Sequence, residues 1–135
     1  MQSKGNFALI GSLLLAGNFF ISSLFADGDP QLSISSDSGR FDAKKGEALY
    51  RASCQGCHMA DGKGASGAGF YPSLAGNVRL MSAETTLKTV TNGLNGMPGF
   101  REYLTDDQIV EVVNYVRTSF GNNYKGAVRT ADIPK

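Results

Sequence analysis

Tryptophan is absent from this chain of 135 residues, histidine occurs once, cysteine twice, and only 19% of residues are charged. Each scarcity closes off a class of function. With 13 Lys and Arg against 12 Asp and Glu, for a net charge of +1, there is no basic stripe to grip a nucleic-acid backbone. No nucleotide-binding glycine fingerprint, no internal repeat and no alternating strand pattern of useful length is present. The length is that of one domain, which argues against separate cofactor and substrate modules. Hydrophobic residues at 41% with 17 glycines describe a small globule short of side-chain volume for its core. A staple, a metal or a large cofactor would relieve that deficit.

The N-terminus sets the compartment. Apolar residues run from Phe7 to Phe25 behind Lys4 and give way after Ala26 to Asp27-Gly28-Asp29-Pro30. This is the pattern of a secretory signal over residues 1–26, cleaved after Ala26. The apolar span of 19 residues is close to the ~20 that cross a bilayer, so an uncleaved anchor is the competing reading and the one route to a membrane. In both cases the folded part lies outside the cytoplasm, and a bacterial periplasm is the expected location. Cleavage removes Lys4 and leaves 12 basic against 12 acidic residues.

Residues 27–40 read as a polar leader, 41–121 as the domain and 122–135 as a polar tail. A first helix is expected from Phe41 to about Ser53, with Asp42 a candidate cap. The glycine-rich stretch from Cys57 to Asn77 reads as a long loop. Ser82 opens a short helical pattern through Ala83, Leu87 and Val90 that stops at Asn92-Gly93, and a second loop follows from Leu94 to Tyr103. Thr105-Asp106-Asp107-Gln108 has capping-box form, and Ile109, Val112, Val113, Val116 and Phe120 then recur at helical spacing up to Gly121-Asn122. The paired acids Asp106 and Asp107 are explained by their place at a helix start.

Both cysteines and the single histidine lie within five residues, Cys54-Gln55-Gly56-Cys57-His58. Two thiols at this spacing can add across the two vinyl groups of one haem, with the adjacent imidazole beneath the iron as an axial ligand. Three other readings stand beside it: a structural disulfide, though so short a loop restrains little chain; a thiol oxidoreductase pair, though no strand introduces the motif; and a zinc site with Asp61 as the fourth ligand.

The chain resembles class I c-type cytochromes over roughly Phe41 to Phe120. Gly46 and Tyr50 precede the Cys54–His58 motif as in the first helix of that family, Pro72-Ser73-Leu74-Ala75-Gly76-Asn77 resembles its proline loop, and Asn95-Gly96-Met97-Pro98-Gly99-Phe100 resembles its sixth-ligand loop. The resemblance implies an all-α domain of three to five helices around one covalent haem c, attached at Cys54 and Cys57. It implies a crossing of the first and last helices at Gly46 and Tyr115. It also implies a Pro72 carbonyl that orients the ring of His58, and His58 and Met97 as axial ligands. A thioether suits haem iron, and two occupied axial positions favour electron transfer over substrate chemistry.

Around Met97 and Ser119-Phe120-Gly121-Asn122 the sequence is most similar to cytochrome subunits of periplasmic alcohol and sugar dehydrogenases, while Tyr124–Lys135 follows their pattern only loosely. What this implies is a one-electron carrier, itself no enzyme, with a dehydrogenase as donor and a respiratory complex or another cytochrome as acceptor. The alternative is a haem-based ligand sensor or peroxidase-type enzyme, which requires Met97 to be off the iron. Phe70, Tyr71, Phe100 and Tyr103 are expected to pack on the porphyrin. Asp61 and Lys63 read as a solvated loop pair, and Arg79 and Arg101 as surface charges or haem propionate partners.

Overall fold

The computed structural model describes residues 41–135, so the expected signal (1–26), or anchor, and the leader (27–40) lie outside the described residues. The described residues form four α-helices: Gly46–Ser53 (α1), Gln55–His58 (α2), Ala83–Asn92 (α3) and Asp106–Thr118 (α4). Short 3-10 turns stand at Val78–Met81 and Thr130–Asp132. The two expected loops each hold a minimal antiparallel hairpin, Ala65–Ser66 (β1) with Phe70–Tyr71 (β2), and Gly93–Leu94 (β3) with Met97–Pro98 (β4). Among the described residues no helix is long and apolar enough to cross a membrane.

α4 is built as its sequence demands. Thr105 Oγ1 accepts from the Gln108 amide at 3.3 Å while Gln108 Oε1 accepts from the Thr105 amide at 2.9 Å, closing the capping box reciprocally. Asp106 and Asp107 then sit in the first turn and Arg117 in the last, each on the favourable side of the helix dipole. Ser82 caps α3 by accepting from the Thr85 amide at 3.2 Å, and Gly93, with φ of 81°, ends it.

Valine-rich α4 depends on burial more than on propensity. Ile109, Val112, Val113 and Val116 pack with Leu49 and Tyr50 of α1, Leu87 of α3, Leu104 and Val128 in one core. Each such fully buried aliphatic side chain stabilises by about 1.5–3 kcal/mol. α1 crosses α4 at Gly46, where an added Cβ would lie 2.4 Å from the Glu111 carbonyl oxygen and 2.6 Å from Tyr115 Cβ. This is the crossing that the family resemblance implied at Gly46 and Tyr115. Only a residue without a side chain lets the two backbones come this close.

Three expectations need correction. α1 begins at Gly46, and Asp42 caps nothing, because the stretch before the helix is held extended from elsewhere. The Gln108 side-chain amide donates to the carbonyls of Phe41 at 2.6 Å and Ala43 at 2.7 Å. α4 stops at Thr118, short of Phe120. Ser119 is extended and Phe120 takes a left-handed φ of 56°, which turns its ring back among Tyr50 and Tyr115 at centroid distances of 4.8 and 5.6 Å.

The third concerns the segment after Asn122, which reads as a polar tail and packs as a strap. Val128 is buried, and Asn114 holds its backbone with two bonds, Nδ2 donating to its carbonyl at 3.1 Å and Oδ1 accepting from its amide at 2.9 Å. The buried Arg117 guanidinium donates to the carbonyls of Lys125 at 2.8 Å, Leu80 at 3.0 Å and Gly126. It thereby ties the strap and the turn at Leu80 to the end of α4.

Candidate functional site

α1 runs almost directly into α2, and the five motif residues ride on that junction. The Cys54 carbonyl accepts from the amides of both Cys57 (3.1 Å) and His58 (2.9 Å), which winds the segment into a single tight turn. Cys54 is half-buried beside Ser53, Cys57 is exposed, and the two are not bridged. Burial pushes the Cys54 thiol above its ordinary value, with the Ser53 hydroxyl opposing. A buried thiol held protonated is a poor nucleophile for exchange, which counts against Cys54 in a thiol oxidoreductase pair. The zinc reading loses its fourth ligand. Asp61 is turned to Lys63, Oδ2 lying 2.9 Å from the ammonium and Oδ1 accepting from the amide at 3.1 Å, and Lys63 holds its carboxyl below the usual range. Among the described residues no three His, Cys, Asp or Glu side chains cluster to hold a metal ion.

His58 is buried, and its Nδ1 lies 2.9 Å from the carbonyl oxygen of Pro72. A carbonyl only accepts, so Nδ1 is the donor here, and in the neutral ring Nε2 is then the nitrogen with a lone pair for a metal. The chain leaves the motif through Met59 at a left-handed φ of 64°, and Tyr50 Oη donates to the Met59 carbonyl at 2.6 Å. Burial, then the neighbouring Cys54 and Tyr115, push the Tyr50 phenol up to about 12, which keeps it a donor at any ordinary pH. Gly62 lies flat on the Phe120 ring, where an added Cβ would come within 2.7 Å of it at a φ of +69°. The Gly62 carbonyl accepts from the amides of Leu74 (2.7 Å) and Ala75 (3.0 Å), drawing the proline loop toward the motif.

Met97 is half-buried on β4, paired with Leu94 across a two-residue turn in which Asn95 has a φ of 52°. Beyond it, the Phe100 amide donates to Val90 at 2.9 Å and the Leu104 amide to Phe100 at 2.8 Å, anchoring the loop to α3 and the core. Phe100 packs against that core, whereas Phe70 is 80% exposed and Tyr71 and Tyr103 are also exposed. Arg101 donates to the Pro134 carbonyl of the strap, and Arg79 is exposed. Sequence reasoning missed Gln108, Asn122 and Arg117 as organisers of the site's supports. Capping explained Gln108 locally, Asn122 read as a helix stop, and nothing in the sequence marks Arg117 as buried.

The donor set fits a haem: an imidazole oriented through its Nδ1, two unbridged cysteines three positions apart, a half-buried thioether, and exposed apolar side chains at Phe70, Val78, Met81 and Leu94. Residues 41–116 match the family model described as cytochrome c oxidase, cbb3-type, subunit III. The chain belongs to this c-type cytochrome family. The cytochrome is 35% identical over 79 residues to cytochrome c6 of Leptolyngbya boryana, covering 56% of this chain and 89% of that one. It is 37% identical over 103 residues to the alcohol dehydrogenase (quinone) cytochrome c subunit of Gluconobacter oxydans, covering 67% of this chain and 21% of that one.

Among solved structures, cytochrome c6 of the diatom Phaeodactylum tricornutum is 30% identical with a TM-score of 0.48, covering 56% of this chain and 90% of that one. The chain spans about a fifth to a quarter of the dehydrogenase cytochrome c subunits it matches (21% and 25% for two of them). The cytochrome has the helical class I fold and carries covalently bound haem c.

Proposed function

We propose that this cytochrome is a periplasmic one-electron carrier, with haem attached at Cys54 and Cys57 and iron held between His58 and Met97. Its donor is a dehydrogenase and its acceptor another cytochrome or a respiratory complex. The observation that carries this reading is the 2.9 Å contact between His58 Nδ1 and the Pro72 carbonyl, which makes Nδ1 the donor and orients the ring. When bound, haem supplies an iron couple that takes up and releases one electron. The chain's part is to hold the ring of His58 still, to keep the thioether of Met97 on a short hairpin, and to exclude water with the core beneath them. A dehydrogenase donor is supported by the names of several relatives, cytochrome subunits of alcohol, fructose and gluconate 2-dehydrogenases. Residues 1–26 serve as the export signal, 27–40 as the leader and 41–121 as the electron-carrying unit.

The test is the visible spectrum of the holoprotein, oxidised and reduced. A weak sulfur-to-iron band near the red end of the oxidised spectrum, lost in Met97→Ala, is expected. Its absence from the wild type, together with carbon monoxide binding to the reduced protein at neutral pH, would favour the sensor or peroxidase reading. Mass spectrometry of the exported protein is expected to find it beginning at Asp27.

A further inference from the structure

Asn122 is buried just beyond α4, and every polar atom of its side chain is used. Nδ2 donates to the carbonyls of Leu74 at 2.9 Å and Val116 at 2.8 Å, and Oδ1 accepts from the Asn77 amide at 3.1 Å. Turning the amide over would set oxygen against two carbonyls and NH2 against an N–H, so its orientation is fixed. Leu74 and Asn77 bracket the segment directly after Pro72. The neighbouring Phe120 adds a further tie, its carbonyl accepting from the Gly76 amide at 3.2 Å.

Pro72 has no N–H of its own to anchor it. The position of its carbonyl therefore depends on what holds residues 73–77, which are gripped by Gly62 on the motif side and by Asn122 and Phe120 on the α4 side. We propose that Asn122 is a positioning residue for the Pro72 carbonyl, and through it fixes the proton and the orientation of the His58 ring, and with them the reduction potential. This rests on the reading of His58 as an iron ligand. A carbonyl on the Nδ1 proton strengthens the imidazole as a donor and favours the oxidised metal. Loosening that carbonyl therefore raises the potential and opens the ring proton to solvent.

Asn114 supplies the control. It lies on α4 and likewise holds backbone through both ends of its amide, but its partner is Val128 of the strap, remote in sequence from the proline loop. In the 15N-labelled, reduced, full-length holoprotein, Asn122→Ala is expected to exchange the His58 Nδ1 proton with deuterium roughly tenfold faster, the loss of about one hydrogen bond's restraint. Its potential is expected to rise. Asn114→Ala is expected to lower stability comparably while leaving both readouts at wild-type values. Unchanged exchange or potential in Asn122→Ala, or an equal change in Asn114→Ala, overturns the inference. If Asn122→Ala yields no folded holoprotein, Asn122→Ser, whose single shorter hydroxyl cannot serve Leu74, Val116 and Asn77 together, carries the exchange measurement by the same criterion. His58→Ala tests the underlying reading separately. A spectrum unchanged in that variant removes His58 from the iron, and the inference falls with it.

Discussion

Gly46→Ala adds one methyl group where α1 and α4 touch, and the structure sets what that methyl meets. Its nearest neighbours, the Glu111 carbonyl oxygen at 2.4 Å and Tyr115 Cβ at 2.6 Å, are a backbone atom and the root of a side chain, so neither can rotate away. Reaching an ordinary contact requires α1 to lift from α4 by about 1 Å. A gap of that size forfeits about a quarter to a half of the dispersion energy wherever Leu49 and Tyr50 face Val112, Val113 and Val116. Overpacking of this kind costs about 1–3 kcal/mol. Alanine's better helix propensity returns at most ~1 kcal/mol, and less at the first residue of a helix. The net expectation is about 1–2 kcal/mol of destabilisation, near 4–8 °C in Tm per kcal/mol for a domain of this size. Urea titration of the holoprotein measures it as a lower midpoint at unchanged slope. Gly56→Ala is the matched control, because a Cβ there meets nothing within 4 Å, and it is expected to be neutral or mildly stabilising. Equal stability of Gly46→Ala and wild type would refute the close crossing as the reason for glycine.

Three other expectations follow from the polar supports. Gln108→Ala removes the side-chain half of the capping box and both bonds to Phe41 and Ala43, so it should destabilise by about 2–3 kcal/mol and release the 41–45 segment to faster amide exchange. Tyr50 keeps its proton in the folded state to about pH 12, whereas an unfolded tyrosine releases it near 10. Its contribution is therefore complete below pH 10 and declines toward 12, and Tyr50→Phe should flatten this alkaline limb in pH-dependent melts while lowering neutral-pH stability by about 1 kcal/mol. Arg117→Met strips the donors from the carbonyls of Leu80, Lys125 and Gly126, with an expected loss of at least ~2 kcal/mol and faster exchange through residues 124–128.

What was legible in the sequence was local. Thr105 and Gln108 contain their own geometry three residues apart, so the start of α4 could be read directly, and the Cys54–His58 cluster carries its chemistry in five residues. What could not be read depends on partners far along the chain. The true start of α1 is set by Gln108, 67 residues beyond Phe41, and no cap pattern near Asp42 could reveal it. α4 ends early because Phe120 is wanted among Tyr50 and Tyr115, a demand that helical periodicity alone extends in the wrong direction. The strap reads only as polar because it is held through backbone atoms, with Val128 as its buried apolar anchor. Pro72 drew notice through family resemblance. Its neighbour in function, Asn122, carries no signature, since an asparagine after a glycine reads equally well as a plain turn.

The supports of the site are neutral in kind. Gln108, Asn114 and Asn122 work through amides, and even Arg117 spends its charge on carbonyl oxygens, while the ion pairs Lys63–Asp61 and Arg129–Asp132 lie at the surface. Bonds of this sort are little affected by a mobile ion atmosphere, which chiefly screens separated, solvated charges. Ionic strength is therefore a clean variable for this cytochrome. Between dilute buffer and half-molar salt its melting point should hardly move, so any change in the rate at which it exchanges electrons with a partner reports the encounter between the two surfaces and leaves the integrity of the pocket out of account.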